Sequence, residues 1–94
     1  MPRLRYSDVA KDDLKEIARF IAKDKPQAAR AWVAKLRQHC RMLVKNPEVG
    51  DDRGDLGVGI RSTYVGGSIA FFRQRETTLE IARVRRGDLE FPFL

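Results

Sequence analysis

The stretch Ile60-Arg61-Ser62-Thr63-Tyr64-Val65-Gly66-Gly67-Ser68-Ile69-Ala70-Phe71-Phe72-Arg73 decides the fold. Two runs rich in β-branched and aromatic residues flank a glycine pair, and glycines supply the positive φ angles that a tight hairpin turn demands. One strand therefore ends at Val65 and its partner starts at Ser68. Gln74 to Thr77 makes a second turn, and Thr78 to Arg85, with Leu79, Ile81 and Val84, reads as a third strand. Strands joined by such short turns form an antiparallel meander over residues 60–85. Strict alternation puts Ala70, Phe72, Ala82 and Val84 on one face. Ile69, Phe71, Arg73, Leu79, Ile81, Arg83 and Arg85 take the other.

Working upstream, residues 47–59 hold Gly50, Gly54, Gly57 and Gly59 with three aspartates and no sustained period, so they read as a loop. The spacing fits no phosphate-cradling motif, and the aspartates would repel a phosphate. Before the loop, Ala29, Trp32, Val33, Leu36, Cys40 and Leu43 recur at helical spacing up to Asn46, and Ala10, Leu14, Ile17 and Ile21 do so from Asp8 to Lys23. Ser7 offers an N-cap hydroxyl, and Pro26 suits a first helical turn. Only a tight connection separates the two periods, which predicts an antiparallel helix hairpin over residues 8–46. Leu4 and Tyr6 alternate with Arg3 and Arg5 as a short strand over residues 1–6.

The expected fold is α+β in a single domain over residues 1–94. An N-terminal strand precedes a two-helix hairpin packed on one face of a small antiparallel sheet, and the sheet ends in the meander. Residues 86–94 form a tail. Trp32 is large enough to anchor the hairpin to the sheet. Two helices cover one face, so Ile69, Phe71, Leu79, Ile81 and Arg83 are expected on a bare partner-binding face, unless Leu89 to Leu94 folds back over it.

The chain has 94 residues, is 43% hydrophobic and carries a net charge of +6 with a pI near 10.0. That charge favours anionic partners without choosing among them. Every lysine precedes residue 47, whereas the meander uses only arginine. Arginine's planar fork suits phosphate and carboxylate, so Arg61, Arg73, Arg83, Arg85 and Arg86 are the target-binding candidates. Cys40 has no disulfide partner and implies a reducing compartment. No run has the length to cross a bilayer, which leads to the expectation of a cytoplasmic protein without membrane partners. His39 and Cys40 are adjacent on a helix and diverge, so no metal or cofactor is expected. Tyr64 and Glu80 are the proton carriers available to the meander.

Ser7-x-x-Ala10-x-x-Asp13-Leu14-x-x-Ile17-x-x-Phe20-Ile21, Pro26-x-x-Ala29, Leu43-x-x-x-Pro47-x-x-Gly50, Gly59-Ile60-Arg61-Ser62-x-x-Val65-Gly66, Ile69-x-Phe71-Phe72-Arg73 and Ile81-x-Arg83-Val84 occur in that order. Their succession from Tyr6 to about Asp88 resembles the ParE toxins of the RelE/ParE superfamily of type II toxin-antitoxin modules. The resemblance implies a toxin that inhibits DNA gyrase by binding, has no catalytic residue or cofactor, and so blocks replication and growth. It implies a ParD-like antitoxin with a ribbon-helix-helix DNA-binding domain, in a heterotetramer or larger assembly, and no sequence-specific DNA binding by the toxin alone. The alternative is a RelE-like ribosome-dependent mRNA interferase using Arg61, Arg73 and Arg83 on phosphate, with Tyr64 or Glu80 moving protons. Phe72 stands where the family often has Tyr, and Arg86 where it often has His. Both departures favour gyrase inhibition. A degenerate module that binds only an antitoxin is the third reading.

Overall fold

In a computed structural model that describes residues 2–87, the elements run β1 (Arg3–Tyr6), α1 (Asp8–Ala22), α2 (Pro26–Lys45), β2 (Asp51–Asp52), β3 (Arg61–Val65), β4 (Ser68–Arg75) and β5 (Thr78–Arg86). A 3-10 turn over Pro47–Val49 sits between α2 and β2. The sheet has five strands in the order β1-β5-β4-β3-β2. The meander is antiparallel, as expected, with Gly66 at φ 56° and Gly67 at φ 79° in its first turn. The sheet as a whole is mixed, because β1 lies parallel to β5, Leu4 opposite Leu79 and Tyr6 opposite Ile81. A parallel neighbour needs a long crossover, and the helix hairpin between β1 and the meander supplies it. The loop expected over residues 47–59 contains the 3-10 turn and β2, both too short to leave a periodic signal in the chain.

Both helices pack on one sheet face. Leu14, Ile17, Trp32, Leu36, Cys40 and Leu43 meet Val65, Ala70, Phe72, Leu79, Ile81 and Val84 in one buried cluster. Full burial of side chains this large contributes about 1.5–3 kcal/mol each. Trp32 anchors α2 as expected: its Nε1 donates to Ser68 Oγ at 3.1 Å. Seven residues later along the same face, His39 Nε2 shares a 3.0 Å hydrogen bond with Thr63 Oγ1. The Tyr6 phenol lies under the Arg37 guanidinium, and burial first, then Cys40 beside it, pushes its pKa well above the ordinary tyrosine value.

The parity expected for β5 is corrected. Phe71 pairs with Arg83 but Phe72 pairs with Ile81, so Ala82 has no partner on β4. This bulge adds one residue to β5 and reverses its alternation. Leu79 and Ile81 precede the bulge and Val84 follows it, yet all three enter the helix-side core, at 1%, 0% and 1% exposure. Leu79 and Ile81 are therefore not on the outer face. Ile69 and Phe71 do belong to the face opposite the helices, but both are buried, so that face is not bare at those positions. The expected fold-back of Leu89 to Leu94 lies outside the described residues.

Helix α1 and its cap satisfy polar groups of β5 around the bulge, just past the end of β1. Ser7 caps α1 by accepting from Ala10 N at 3.0 Å, and its hydroxyl donates to Ala82 O at 2.8 Å. The Ser7 amide donates to Ile81 O at 3.0 Å. One turn into the helix, Asp13 accepts from Val84 N at 3.0 Å and from Arg83 Nε and Nη2 at 2.8 and 3.2 Å. A second point of close fit is Gly50, where a Cβ would stand 2.7 Å from Phe72 Cε1 and nearer still to Cζ.

Two substitutions test these constraints. Asp13→Ala should lower stability by about 2–4 kcal/mol, because it strands a partly buried guanidinium and a backbone N–H together. Asp13→Asn should cost less, since its amide oxygen still accepts from Val84; equal urea midpoints for Asp13→Ala and the native chain would refute the clamp. Gly50→Ala should destabilise by about 1–3 kcal/mol by overpacking Phe72, read from the same urea transition.

Candidate functional site

The five arginines selected from the sequence do not form one cluster. Arg61 shares the helix-side parity of Thr63 and Val65, and it is tied to the end of the 3-10 turn: Nη2 donates to Gly50 O at 2.8 Å and Glu48 O at 3.4 Å, and Nε donates to Gly50 O at 3.2 Å. It orders the segment leading into β2. Arg73 lies on the outer face, with Nε and Nη2 at 3.2 and 3.1 Å from Glu80 Oε1. Arg83 is committed to Asp13. That hydrogen bond is the main cause holding its pKa above the usual arginine value, opposed by burial and aided by the charges of Asp13 and Glu16.

Arg85 and Arg86 meet Arg83 at the end of β5. With Asp13, Glu16, Ile17 and Phe20 of α1 they line a cleft of about 300 Å³. The Arg86 guanidinium lies 4.0 Å above the centre of the Phe20 ring. Phe20 is 54% exposed, an apolar ring whose visible face is shared with a cation. Its signal in the sequence was faint, because the stripe of Ala10, Leu14, Ile17 and Ile21 accounts for α1 without it.

Tyr64 and Glu80 do not stand together. Tyr64 pairs with Ile69, which pairs with Arg85 near the end of β5, whereas Glu80 pairs with Arg73 near its start. Glu80 is held between two guanidiniums, with Arg5 Nε 3.7 Å from its Oε2. A phosphate would meet no cluster of Arg61, Arg73 and Arg83, since Arg61 faces the helix side and Arg73 the outer face.

The sequence reading missed a shallow groove on the outward side of the helix hairpin, about 660 Å³ in volume. Ala18 and Ala22 of α1 face Ala29, Val33 and Ala34 of α2 across it, and Arg19, Arg30 and Arg37 stand around it. A second hollow of about 410 Å³ continues it past Ala18 and Val33 toward Leu14, with Lys11 and Lys15 beside it. The row of small residues between these cations carries no signal within either helix alone.

No helix among the described residues is long and apolar enough to cross a membrane. No group of three or more His, Cys, Asp or Glu side chains that could hold a metal occurs among them. A chain of the chromosomal ParDE toxin-antitoxin system from P. aeruginosa has the same fold, with a TM-score of 0.78 over 92% of this chain and 96% of that one at 22% identity. No curated protein matches significantly. The family profile for the ParE toxin of the type II toxin-antitoxin system parDE matches residues 4–90. The chain, with its helix hairpin laid on a mixed five-stranded sheet, belongs to the ParE toxin family.

Proposed function

We propose that this ParE-type toxin inhibits DNA gyrase by binding, without making or breaking bonds, and so arrests replication. The observation that carries this reading is the commitment of Arg61, Arg73 and Arg83 to partners inside the chain, on two faces of the sheet. Phosphodiester cleavage needs cations converging on one phosphate with a proton carrier in hydrogen-bond reach. Arg85 and Arg86, beside the exposed Phe20, are the residues assigned to the target. Purified toxin should inhibit supercoiling by gyrase at stoichiometric amounts, and Phe20→Ala with Arg86→Ala should weaken that inhibition about tenfold. Full supercoiling at a tenfold excess of toxin, or cleavage of translated messages instead, would refute it.

The antitoxin interface moves with the burial pattern. Leu79 and Ile81 are under the helices, and the hairpin groove offers what the sheet face was expected to offer. Its small residues let a third helix approach closely, and five surrounding cations suit an acidic amphipathic segment. We assign this groove to the folding-upon-binding segment of a ParD-like antitoxin, encoded in an adjacent reading frame. Arg30→Glu with Arg37→Glu should weaken antitoxin binding at least tenfold, measured by calorimetry, through both lost attraction and new repulsion. An unchanged dissociation constant would place the antitoxin elsewhere.

A further inference from the structure

The sheet face turned away from the helices carries a second basic cluster, distinct from the five arginines considered so far in all but Arg73. Leu4 and Tyr6 pack against the core, so Arg3 and Arg5 point outward. Parallel pairing sets Arg3 opposite Thr78 and Arg5 opposite Glu80. On the far side of β5, β4 sets Arg75 opposite Thr78 and Arg73 opposite Glu80. Two rows result, Arg3-Thr78-Arg75 and Arg5-Glu80-Arg73. The four arginines mark the corners of a rectangle, about 7 Å along the strands and about 10 Å across them. Arg3, Arg5 and Arg75 are exposed, with the Arg5 side chain at 68%. Glu80 is the one carboxylate inside the rectangle, and Glu76 follows in the exposed turn between β4 and β5.

We propose that this rectangle docks double-stranded DNA through its phosphate backbone, without reading base sequence. The three exposed corners, Arg3, Arg5 and Arg75, present guanidiniums, which bind phosphate oxygens in pairs, while Arg73 stays with Glu80 and adds only its charge. The spacing along a strand is of the order of that between successive phosphates, so Arg3 and Arg5 can follow one nucleic-acid strand while Arg75 meets the other. The central Thr78 adds a hydroxyl for a phosphate oxygen. Among the described residues no apolar side chain stands among the corners, whereas a protein partner or a membrane would need an apolar anchor there. No aromatic ring of the described residues stands among them either, whereas single strands are held by stacking their bases. The proposal is independent of the gyrase reading, because DNA alone is the ligand.

The test uses the full chain and a fluorescent duplex of about 20 base pairs, followed by anisotropy between about 50 and 200 mM salt. The native protein should bind, with affinity falling linearly on a log–log plot against salt. Arg3→Gln, Arg5→Gln and Arg75→Gln together should weaken binding at least tenfold and flatten the salt slope by about 2–3. Lys23→Gln, Lys35→Gln and Lys45→Gln, which remove the same charge from the helices, should leave affinity within about twofold. Equal weakening by the two sets would reduce the effect to net charge and overturn the proposal. So would absence of binding at about 50 mM salt, or tighter binding to single-stranded DNA, polyglutamate or phosphatidylserine vesicles than to the duplex. Circular dichroism of both variants checks folding; if the first triple variant does not fold, Arg3→Gln and Arg75→Gln are measured singly, each expected to weaken binding about threefold.

Discussion

The extra residue at Ala82 is the constraint on which the rest of the molecule depends. A regular β5 would bring Leu79 and Ile81 to one face and Val84 to the other, and the helix hairpin would then cover only part of the strand's apolar content. The bulge lets all three enter one core. Around the bulge β5 also runs past the end of β1, and buried backbone groups without partners destabilise a fold by about 1–3 kcal/mol each. Ser7 and Asp13 answer that cost from α1, one with a hydroxyl and the other with a carboxylate. The same carboxylate takes Arg83, so the device that repairs the strand also decides which arginine is withdrawn from solvent.

Much of this was legible in the chain. The Gly66-Gly67 turn, the boundaries at Ser7 and Pro26, and the anchoring role of Trp32 follow from residue types whose local preferences agree with the tertiary structure. The parallel pairing of β1 was not legible, because Arg3 to Tyr6 carry a period but no address. The bulge was hidden for a different reason. The large apolar residues shift phase between Ile81 and Val84, but a regular strand with apolar residues on both faces reads the same way, and Ala82 is small enough to fit either face. Nothing local marks Asp13 as the group that resolves it. Short elements such as Asp51–Asp52 have no period of their own and are defined by their pairing with Arg61 and Ser62, which β4 also holds.

For the candidate site the lesson concerns charge. A net charge of +6 made the arginines of the meander look interchangeable, but their pairings separate them. Arg61 donates to loop carbonyls, Arg83 to a helix carboxylate, and Arg73 to Glu80, which also meets Arg5. Arginines that hold the fold and exposed ones such as Arg75 lie a few positions apart. Which is which depends on strand register, and register is a property of pairs of segments. The hairpin groove shows the complementary case: alanines look like filler in a single helix, and become a surface only where two helices bring them face to face.

The placement of β1 also has a consequence for biosynthesis. Among the described residues β1 has β5 as its one neighbour in the sheet, and the Ser7 hydroxyl reaches across 75 positions to Ala82. A nascent chain that has reached Arg75 can form the helices and the β3–β4 hairpin, yet its amino-terminal strand still has no edge to join. Closure waits for Thr78 onward, and long loop closure is slow to nucleate. A chain that stops before Thr78 therefore lacks the strand that joins β1 to the rest of the sheet.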